Sequence, residues 1–266
     1  MTAMAVAALY DIHGNLPALE AVLADVRRLS VDAIVVGGDV FPGPQSKECL
    51  DCLLGFDLPV RFLRGNGERA VLSVAHGGEA DSLPQQVRES VRWLARRLAP
   101  ERVEAMASWP PSVRLAIDGI GDVLFCHATP RSDDEIFTRL TPAERIADAF
   151  AQADAPLVVC GHTHMQFDRH IGPTRVVNAG SVGMPFGEPG AYWLLLGDGV
   201  ALRRTAYDLE DAAARVRASE HPQAADFAAH NILQPPSERE MLELFGGAPA
   251  ANAATTGDTP SDGSYG

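Results

Sequence analysis

The sequence predicts an α/β fold in which strands alternate with helices. Short apolar runs and amphipathic stretches follow one another through the first sixty residues. This strand–helix–strand rhythm is typical of parallel sheets whose connections are helical. The chain has 266 residues and is 46% hydrophobic, which suits one large domain or two small ones. A chain of this length can bury a hydrophobic core large enough to be stable without disulfide bonds.

The N-terminal part of the chain contains the clearest elements. Residues 4–10 form an apolar run typical of a buried strand. Residues 16–29 place apolar side chains at helical spacing and end on basic residues, as a helix C-terminus favours. The further elements expected here are strands at 33–37 and 60–63 and a helix at 46–54.

Residues 76–110 break this rhythm, because two helical patterns, 84–98 and 100–109, follow each other with no strand between them. We therefore expect a helical insertion at 76–110. Strands 113–117 and 123–126 come next, joined through DGIGD, a hairpin signal.

The remaining expected elements are strands at 157–160, 175–178, 192–196 and 200–205 and helices at 142–152, 208–219 and 237–245. From residue 246 onward almost no large apolar residue is available for burial. We expect one domain over 1–245 and a disordered tail over 246–266.

Composition excludes several classes of function. The formal net charge is −13, with 22 Lys+Arg against 35 Asp+Glu. Stable nucleic-acid binding needs clustered cations, so we expect none. No apolar run approaches the ~20 residues of a membrane span, and no signal peptide is expected. Four cysteines (Cys49, Cys52, Cys126 and Cys160) make no disulfide framework in a chain this long, which predicts a reducing cytoplasm. The oligomeric state cannot be predicted.

Metal-competent side chains follow the buried strands, each near the point where a strand ends. Ligands bind at the carboxyl ends of strands in open α/β sheets, so these side chains are expected to converge. The candidate donors are Asp11, His13, Asp39, Asn66, His127, His162 and His164.

Two carboxylates, four imidazoles and one amide are too many donors for a single tetrahedral ion. They suit two neighbouring divalent ions with one carboxylate bridging them. Gly38, Gly65 and Gly161 each precede a candidate donor, where close backbone approach is easiest without a Cβ. A single histidine after a strand is more often structural than a ligand. The prediction therefore depends on the whole ordered series.

The motifs that carry this series are DIHGN (11–15), GGDV (37–40), RGNGE (64–68), CHATP (126–130), GHTH (161–164) and VNAGSVGMP (177–185). With them the sequence resembles the calcineurin-like metallophosphoesterase superfamily. It is most similar to the compact bacterial and archaeal branch of small phosphodiesterases and phosphatases. The resemblance implies a four-layer α-β-β-α sandwich of two mixed sheets flanked by helices.

The resemblance also implies the ligand sets. It assigns Asp11, His13 and His164 to one ion and Asn66, His127 and His162 to the other, with Asp39 as the bridge. Asp39, Asn66 and His127 are the expected catalytic residues.

Candidate substrate contacts lie beside these ligands. The resemblance places a phosphate-facing loop at 178–183, where Ser181 is a candidate, and Asn15 is a further one. Arg64 and Arg69 flank Asn66 and could hold an anionic substrate, although solvated surface arginines are an equal alternative. Glu68 is expected to orient a neighbour.

The implied function is a two-metal-dependent phosphoesterase that hydrolyses a phosphodiester, with nucleotides among the candidates. A hydroxide bridging the metals would attack phosphorus. The alternatives are a broad phosphomonoesterase or nucleotidase, or a non-catalytic protein-binding scaffold of the same fold, such as the retromer subunit. Mixed nitrogen and oxygen ligands are compatible with Mn, Fe, Zn, Ni or Co, and metal availability decides among them. We expect two divalent ions, with manganese first among these metals.

One position departs from the family pattern. Many members carry a histidine directly after the G-N asparagine, where it assists the leaving group, and this chain has Gly67. His76 and His170 are the nearest unassigned histidines, and a surface role is the better interpretation of both. Good leaving groups, such as those of aryl phosphodiesters, should then be favoured.

Overall fold

Two five-stranded mixed sheets face each other at the centre of the protein. The computed structural model describes residues 4–81 and 83–247. In chain order the strands are β1 (Val6–Leu9), β2 (Ala33–Val36), β3 (Val60–Phe62), β4 (Ser112–Ile117), β5 (Gly121–Cys126), β6 (Leu157–Cys160), β7 (Phe167–Ile171), β8 (Thr174–Asn178), β9 (Ala191–Leu196) and β10 (Val200–Thr205).

Helices lie between the strands and after them. They are α1 (Leu16–Arg28), α2 (Ser46–Leu54), α3 (Asn66–Ala75), α4 (Gln85–Ala95), α5 (Pro100–Ala107), α6 (Ala143–Phe150), α7 (Leu209–Arg217), α8 (Ala224–Phe227) and α9 (Glu238–Gly247), with a π-helical turn (Ala228–Leu233) after α8.

The two sheets are built alike. Sheet A has the order β10-β9-β1-β2-β3, and sheet B has the order β4-β5-β6-β8-β7. In sheet A, β1, β2 and β3 are parallel and β9 and β10 are antiparallel additions. In sheet B, β5, β6 and β8 are parallel and β4 and β7 are antiparallel edges. The carboxyl ends of six parallel strands are therefore available to carry functional loops.

Alternation along β1 shows how the layers form. Val6 and Ala8 point into the core between the sheets, where they meet Phe125 and Val159 of sheet B. Ala7 and Leu9 face the other way, with the helices that cover sheet A. Sheet B has its own outer core, in which its strands pack on α6. The predicted four-layer α-β-β-α sandwich is confirmed.

Four elements of the described residues are not predicted by the sequence patterns: α3, β7, the short helix α8 and the π-helical turn that follows it. Helix α3 begins at Asn66, and Gly67 in its first turn masks the helical signal. Strand β7 alternates buried Phe167 and Ile171 with polar residues on the sheet edge and is too short to stand out. Helices α4 and α5 occupy the predicted insertion, which α3 precedes.

Cys49 and Cys52 share helix α2, and all four cysteines are free thiols. Within the described ranges, no helix combines the length and apolar character needed to cross a membrane. The predicted tail, 246–266, lies outside the described residues except for its first two glycines, which end α9.

Candidate metal centre

The loops that follow the parallel strands bring all seven candidate donors together. Asp11 follows β1, Asp39 follows β2, His127 follows β5 and His162 follows β6. Asn66 is the first residue of α3, the helix that follows β3. Apart from the Asn66 side chain these residues are nearly inaccessible to solvent, and Asp11 is completely buried.

One group of donors surrounds the Asp11 carboxylate. Its Oδ1 lies 3.3 Å from Nε2 of His164 and 3.9 Å from Nε2 of His13. The two imidazole Nε2 atoms are themselves 3.3 Å apart. These three residues can place one ligand atom each around a single ion.

The second group surrounds His127. Its Nε2 lies 3.5 Å from Oδ2 of Asp39, 3.8 Å from Oδ1 of Asp11 and 3.0 Å from Oδ1 of Asn66. The ring of His162 stands edge-on to that of His127, with 5.2 Å between their centroids. Asp11, Asp39 and His127 can also place their ligand atoms around one ion.

Both carboxylates lie between the two groups. Asp39 Oδ2 is 3.7 Å from Nε2 of His13 and 3.5 Å from Nε2 of His127. Asp11 Oδ1 reaches histidines of both groups at similar distances. The geometry is therefore that of two adjacent donor sets that share their carboxylates.

Backbone carbonyls hold three of the histidines in place through their second ring nitrogen. Nδ1 of His13 lies 3.1 Å from Pro42 O, Nδ1 of His127 lies 2.9 Å from Gly37 O, and Nδ1 of His164 lies 2.7 Å from Met184 O. A carbonyl can only accept a hydrogen bond, so each Nδ1 must be the donor. In the neutral ring this leaves the Nε2 lone pair directed into the site.

The donors sit on strained backbone. Within the described part of the chain, six non-glycine residues have positive φ, and five of them are candidate ligands. Left-handed conformations cost non-glycine residues free energy and cluster at functional sites. The five are Asp11 (52°), His13 (44°), Asp39 (54°), His162 (68°) and His164 (56°).

Burial and neighbouring charges shift the pKa values of the residues in the site. Burial opposes ionisation of both aspartates. The neighbouring imidazoles outweigh it: His164 lowers the pKa of Asp11, and His127 lowers the pKa of Asp39, each below the usual range of an aspartate. Burial would likewise lower the pKa of His127, yet Asp39 and Asp11 raise that pKa to about 10. Burial and its neighbour His127 lower the pKa of His162 to about 4.

Comparison with known proteins identifies the family to which this chain belongs. The family description "calcineurin-like phosphoesterase superfamily domain" matches residues 4–197, which contain every candidate ligand. The chain belongs to this superfamily. A metallophosphoesterase from Sphaerobacter thermophilus has the same fold, with a TM-score of 0.68 and 26% identity over 86% of this chain and 99% of that one.

Two archaeal proteins are also similar to this calcineurin-like phosphoesterase. The hypothetical protein PH1004 from Pyrococcus horikoshii shares the fold, with a TM-score of 0.71 and 20% identity over 86% of this chain and 98% of that one. The uncharacterised protein MJ0912 from Methanocaldococcus jannaschii is 30% identical over 61% of this chain and 63% of its own length. This chain therefore matches less than two thirds of that relative.

The family implies divalent metal ions, and the residues present fit them. Oδ1 of Asp11 and Nε2 of His162 are buried polar atoms without a hydrogen-bond partner in the protein. Buried polar atoms normally have partners, so their orphaned state points to a missing ligand. The glycines fit too, because a Cβ on Gly38 would stand 2.7 Å from Nδ1 of His127.

The predicted substrate contacts fall into two kinds. Asn15 and Ser181 are fully buried and bonded to the protein itself. Asn15 caps α1 and donates to Gly183 O, while the Ser181 hydroxyl donates to Asp11 O at 2.7 Å and accepts from Met184 N. Both therefore support the loops around the ligands.

The two arginines are more accessible. Arg69 donates to both Asp133 oxygens at 2.7 and 2.9 Å and to Asp134 at 2.8 Å. Arg64 is an exposed donor 3.5 Å from Ala107 O, beyond good hydrogen-bond geometry. Of the predicted contacts, Arg64 is thus the one whose charge is not already engaged by a carboxylate of the described residues.

Two further residues support the site. Glu68 is completely buried and accepts from the backbone N–H groups of Asp39, Phe41 and Gly65. It thereby ties the loop of Asp39 to the start of α3. Its place three residues after Gly65 hinted at such an orienting role. Phe186 stacks on His164, and no sequence pattern pointed to it.

Proposed function

We propose that the protein is a two-metal-dependent phosphodiesterase acting on small phosphodiesters with good leaving groups. The observation that carries this proposal is the pair of adjacent donor sets, in which Asp11 Oδ1 and His162 Nε2 are buried without a hydrogen-bond partner. Asp11, His13 and His164 would hold one ion and Asn66, His127 and His162 the other. Asp39 lies where it would bridge them.

Divalent ions bound there would lower the pKa of a shared water from ~15.7 to about 7 and offset charge developing on the phosphoryl oxygens. The two carboxylates leave a net charge of about +2 on such a site, a local cationic well in an acidic protein. The chain's contribution is to fix the ligands, since Nδ1 of each of three histidines is tied to a carbonyl.

The residues around the centre favour attack by water over attack by the protein. Cys126 and Cys160 are buried in the core between sheet B and α6. The Ser181 hydroxyl is engaged on both sides by backbone groups. None of these three side chains is placed to form a covalent intermediate.

The leaving group receives little help from this chain. Gly67 has no side chain, and its N–H donates to Asp39. His76 ends α3 ten residues beyond Asn66, about 15 Å along the helix axis. His170 is exposed on the edge strand β7. Substrates whose leaving group departs without protonation, such as aryl esters, are therefore favoured.

The charge at the rim favours diesters over monoesters. Asp133 and Asp134 share the single guanidinium of Arg69, which leaves this cluster net negative. The Asp134 carboxylate lies near His162, so this negative cluster borders the centre. A dianionic monoester is repelled more strongly here than a monoanionic diester. Nucleotide diesters are within this class.

The proposal includes manganese as the metal, with Fe, Zn, Ni or Co as alternatives that the same ligands accept. It also includes a reducing, cytoplasmic location, which the four free cysteines support. Localising the tagged protein in its host tests the second point.

The test compares hydrolysis of bis(p-nitrophenyl) phosphate with that of p-nitrophenyl phosphate. Metal-stripped protein is assayed alone and after addition of Mn, Ni, Co, Zn or Mg in turn. We expect no activity without metal and a higher kcat/KM for the diester with metal. Preference for the monoester would instead identify a phosphomonoesterase. Inactivity with every metal would favour the scaffold role.

A further inference from the structure

The C-terminal helix α9 reaches the candidate metal centre through a chain of aromatic rings. The ring of Phe186 stacks on the imidazole of His164, with centroids 5.0 Å apart and planes 21° from parallel. Phe245 of α9 also packs on Phe186, with 6.1 Å between the ring centroids and the planes tilted by 54°. A ligand side chain and the C-terminal helix are thus separated by one ring.

These rings belong to a small apolar cluster formed by segments distant in sequence. It consists of five side chains that are each less than 10% exposed: Ile136, Met165, Phe186, Met241 and Phe245. Met241 and Phe245 are one helical turn apart, so both lie on the same face of α9. That face therefore contributes to the covering of Phe186.

Polar contacts hold α9 against this cluster. Gly187 N donates to Pro236 O at 2.8 Å, directly beside Phe186. Ser237 and Glu240 form a reciprocal cap at the start of the helix. Glu238 pairs with Arg139. The position of α9 is therefore fixed at its N-terminus as well as by its apolar face.

Two restraints act on the His164 ring. The hydrogen bond from Nδ1 to Met184 O at 2.7 Å directs the opposite nitrogen, Nε2, toward Asp11. That bond still allows the ring to rock about the line that joins it to the carbonyl. The stacked Phe186 ring blocks this rocking, because any tilt would drive the imidazole into its face.

We propose that Phe186 and Phe245 are positioning residues for the ion held by Asp11, His13 and His164. This inference rests on the proposed function, because it assumes that His164 is a metal ligand. Helix α9 lies beyond residues 4–197, the part that matches the family. Residues 4–197 contain all seven ligands and Phe186 but not Phe245, which packs on Phe186.

The experiment titrates metal-stripped, full-length protein with cobalt(II) against a competing chromogenic chelator and records the cobalt d–d spectrum. The variants are Phe245→Ala, Phe245→Leu and Phe186→Leu. Leu244→Ala is the control on the same helix, because Leu244 is 44% exposed. Phe150→Ala is the core control, because Phe150, the last residue of α6, is 2% exposed and belongs to a different cluster.

We expect Phe245→Ala and Phe186→Leu to weaken one of two cobalt sites by about 10–100-fold, the usual effect of disturbing a ligand's support. The d–d bands of that site should shift. Phe245→Leu should restore most of the affinity, while both controls bind two ions as the wild type does. Phe150→Ala should still lower the melting temperature.

Equal cobalt affinity in Phe245→Ala, Phe186→Leu and the wild type would overturn the inference and leave the proposed function standing. A wild-type protein that binds no cobalt would overturn both. If Phe245→Ala does not fold, Phe186→Leu decides the question, since it removes the stacked ring and keeps an apolar side chain.

Discussion

Replacement of Gly67 by alanine should destabilise the protein, although alanine is the better helix former. Gly67 is the second residue of α3 and lies against the loop that follows β2. A Cβ at this position would collide with the carbonyl oxygen of Phe41 and stand 2.9 Å from Oδ1 of Asp39. The backbone of Phe41 cannot give way easily, because its N–H is held by Glu68.

Three contributions determine the expected loss in the free energy of unfolding. Overpacking in a well-packed site costs about 1–3 kcal/mol. Displacing the 2.8 Å hydrogen bond from Gly67 N to the Asp39 carboxylate costs about 1.5–3 kcal/mol. Alanine returns about 1 kcal/mol through its helix propensity. The net loss in the free energy of unfolding should be about 1.5–5 kcal/mol. The histidine common at this position in the family would meet the same obstacle.

Urea denaturation of the metal-stripped protein measures this loss. Gly199→Ala is the matched control, because a Cβ there would meet no atom within 4 Å. That variant should unfold within about 0.5 kcal/mol of the wild type. If Gly67→Ala were as stable as the control, the loop of Phe41 would not constrain this position. The physical explanation for the missing histidine would then be wrong.

Three other perturbations test the same site. Asp39→Ala should lose both ions and all activity because it removes the carboxylate proposed to bridge them, and metal analysis of a variant that still held two ions would refute the bridge. Glu68→Gln should lower the free energy of unfolding by about 1–3 kcal/mol, because an amide cannot accept from three backbone N–H groups as a carboxylate does. An unchanged midpoint in urea denaturation would contradict this. Metal binding should tighten as pH rises, because His127, whose pKa is raised to about 10, must lose its proton to become a ligand. Calorimetry near pH 7.5 in buffers of different ionisation enthalpy should detect release of about one proton, and release of none would contradict a protonated His127 in the metal-free protein.

Local patterns predict much of this fold and fail in identifiable places. Buried strands such as β1 and β6 are recognisable because they are continuous apolar runs that end in glycine or aspartate. Helix α3 is hidden because Gly67 lowers its local propensity, and its stability comes from Glu68 and from packing on α4. Strand β7 is hidden because its pattern of alternation extends over only five residues at a sheet edge.

The ligands are predictable for a similar reason. Strand ends are set by local sequence, and parallel strands bring their ends to one edge. The supports of the ligands depend on contacts between distant segments. Met184 O reaches His164 across 20 residues, and Phe245 packs on Phe186 from a helix near the C-terminal end of the described residues. Such contacts leave no periodic signal, so Phe186 could not be identified before the structure.

The central claim is that side chains from both sheets bind two metal ions at the ends of the parallel strands. Anomalous diffraction from crystals grown with manganese tests it most directly. The account predicts two anomalous peaks on either side of Asp39, the first bordered by Asp11, His13 and His164 and the second by Asn66, His127 and His162. Crystals of active, manganese-loaded protein with no anomalous peak among these residues would contradict it.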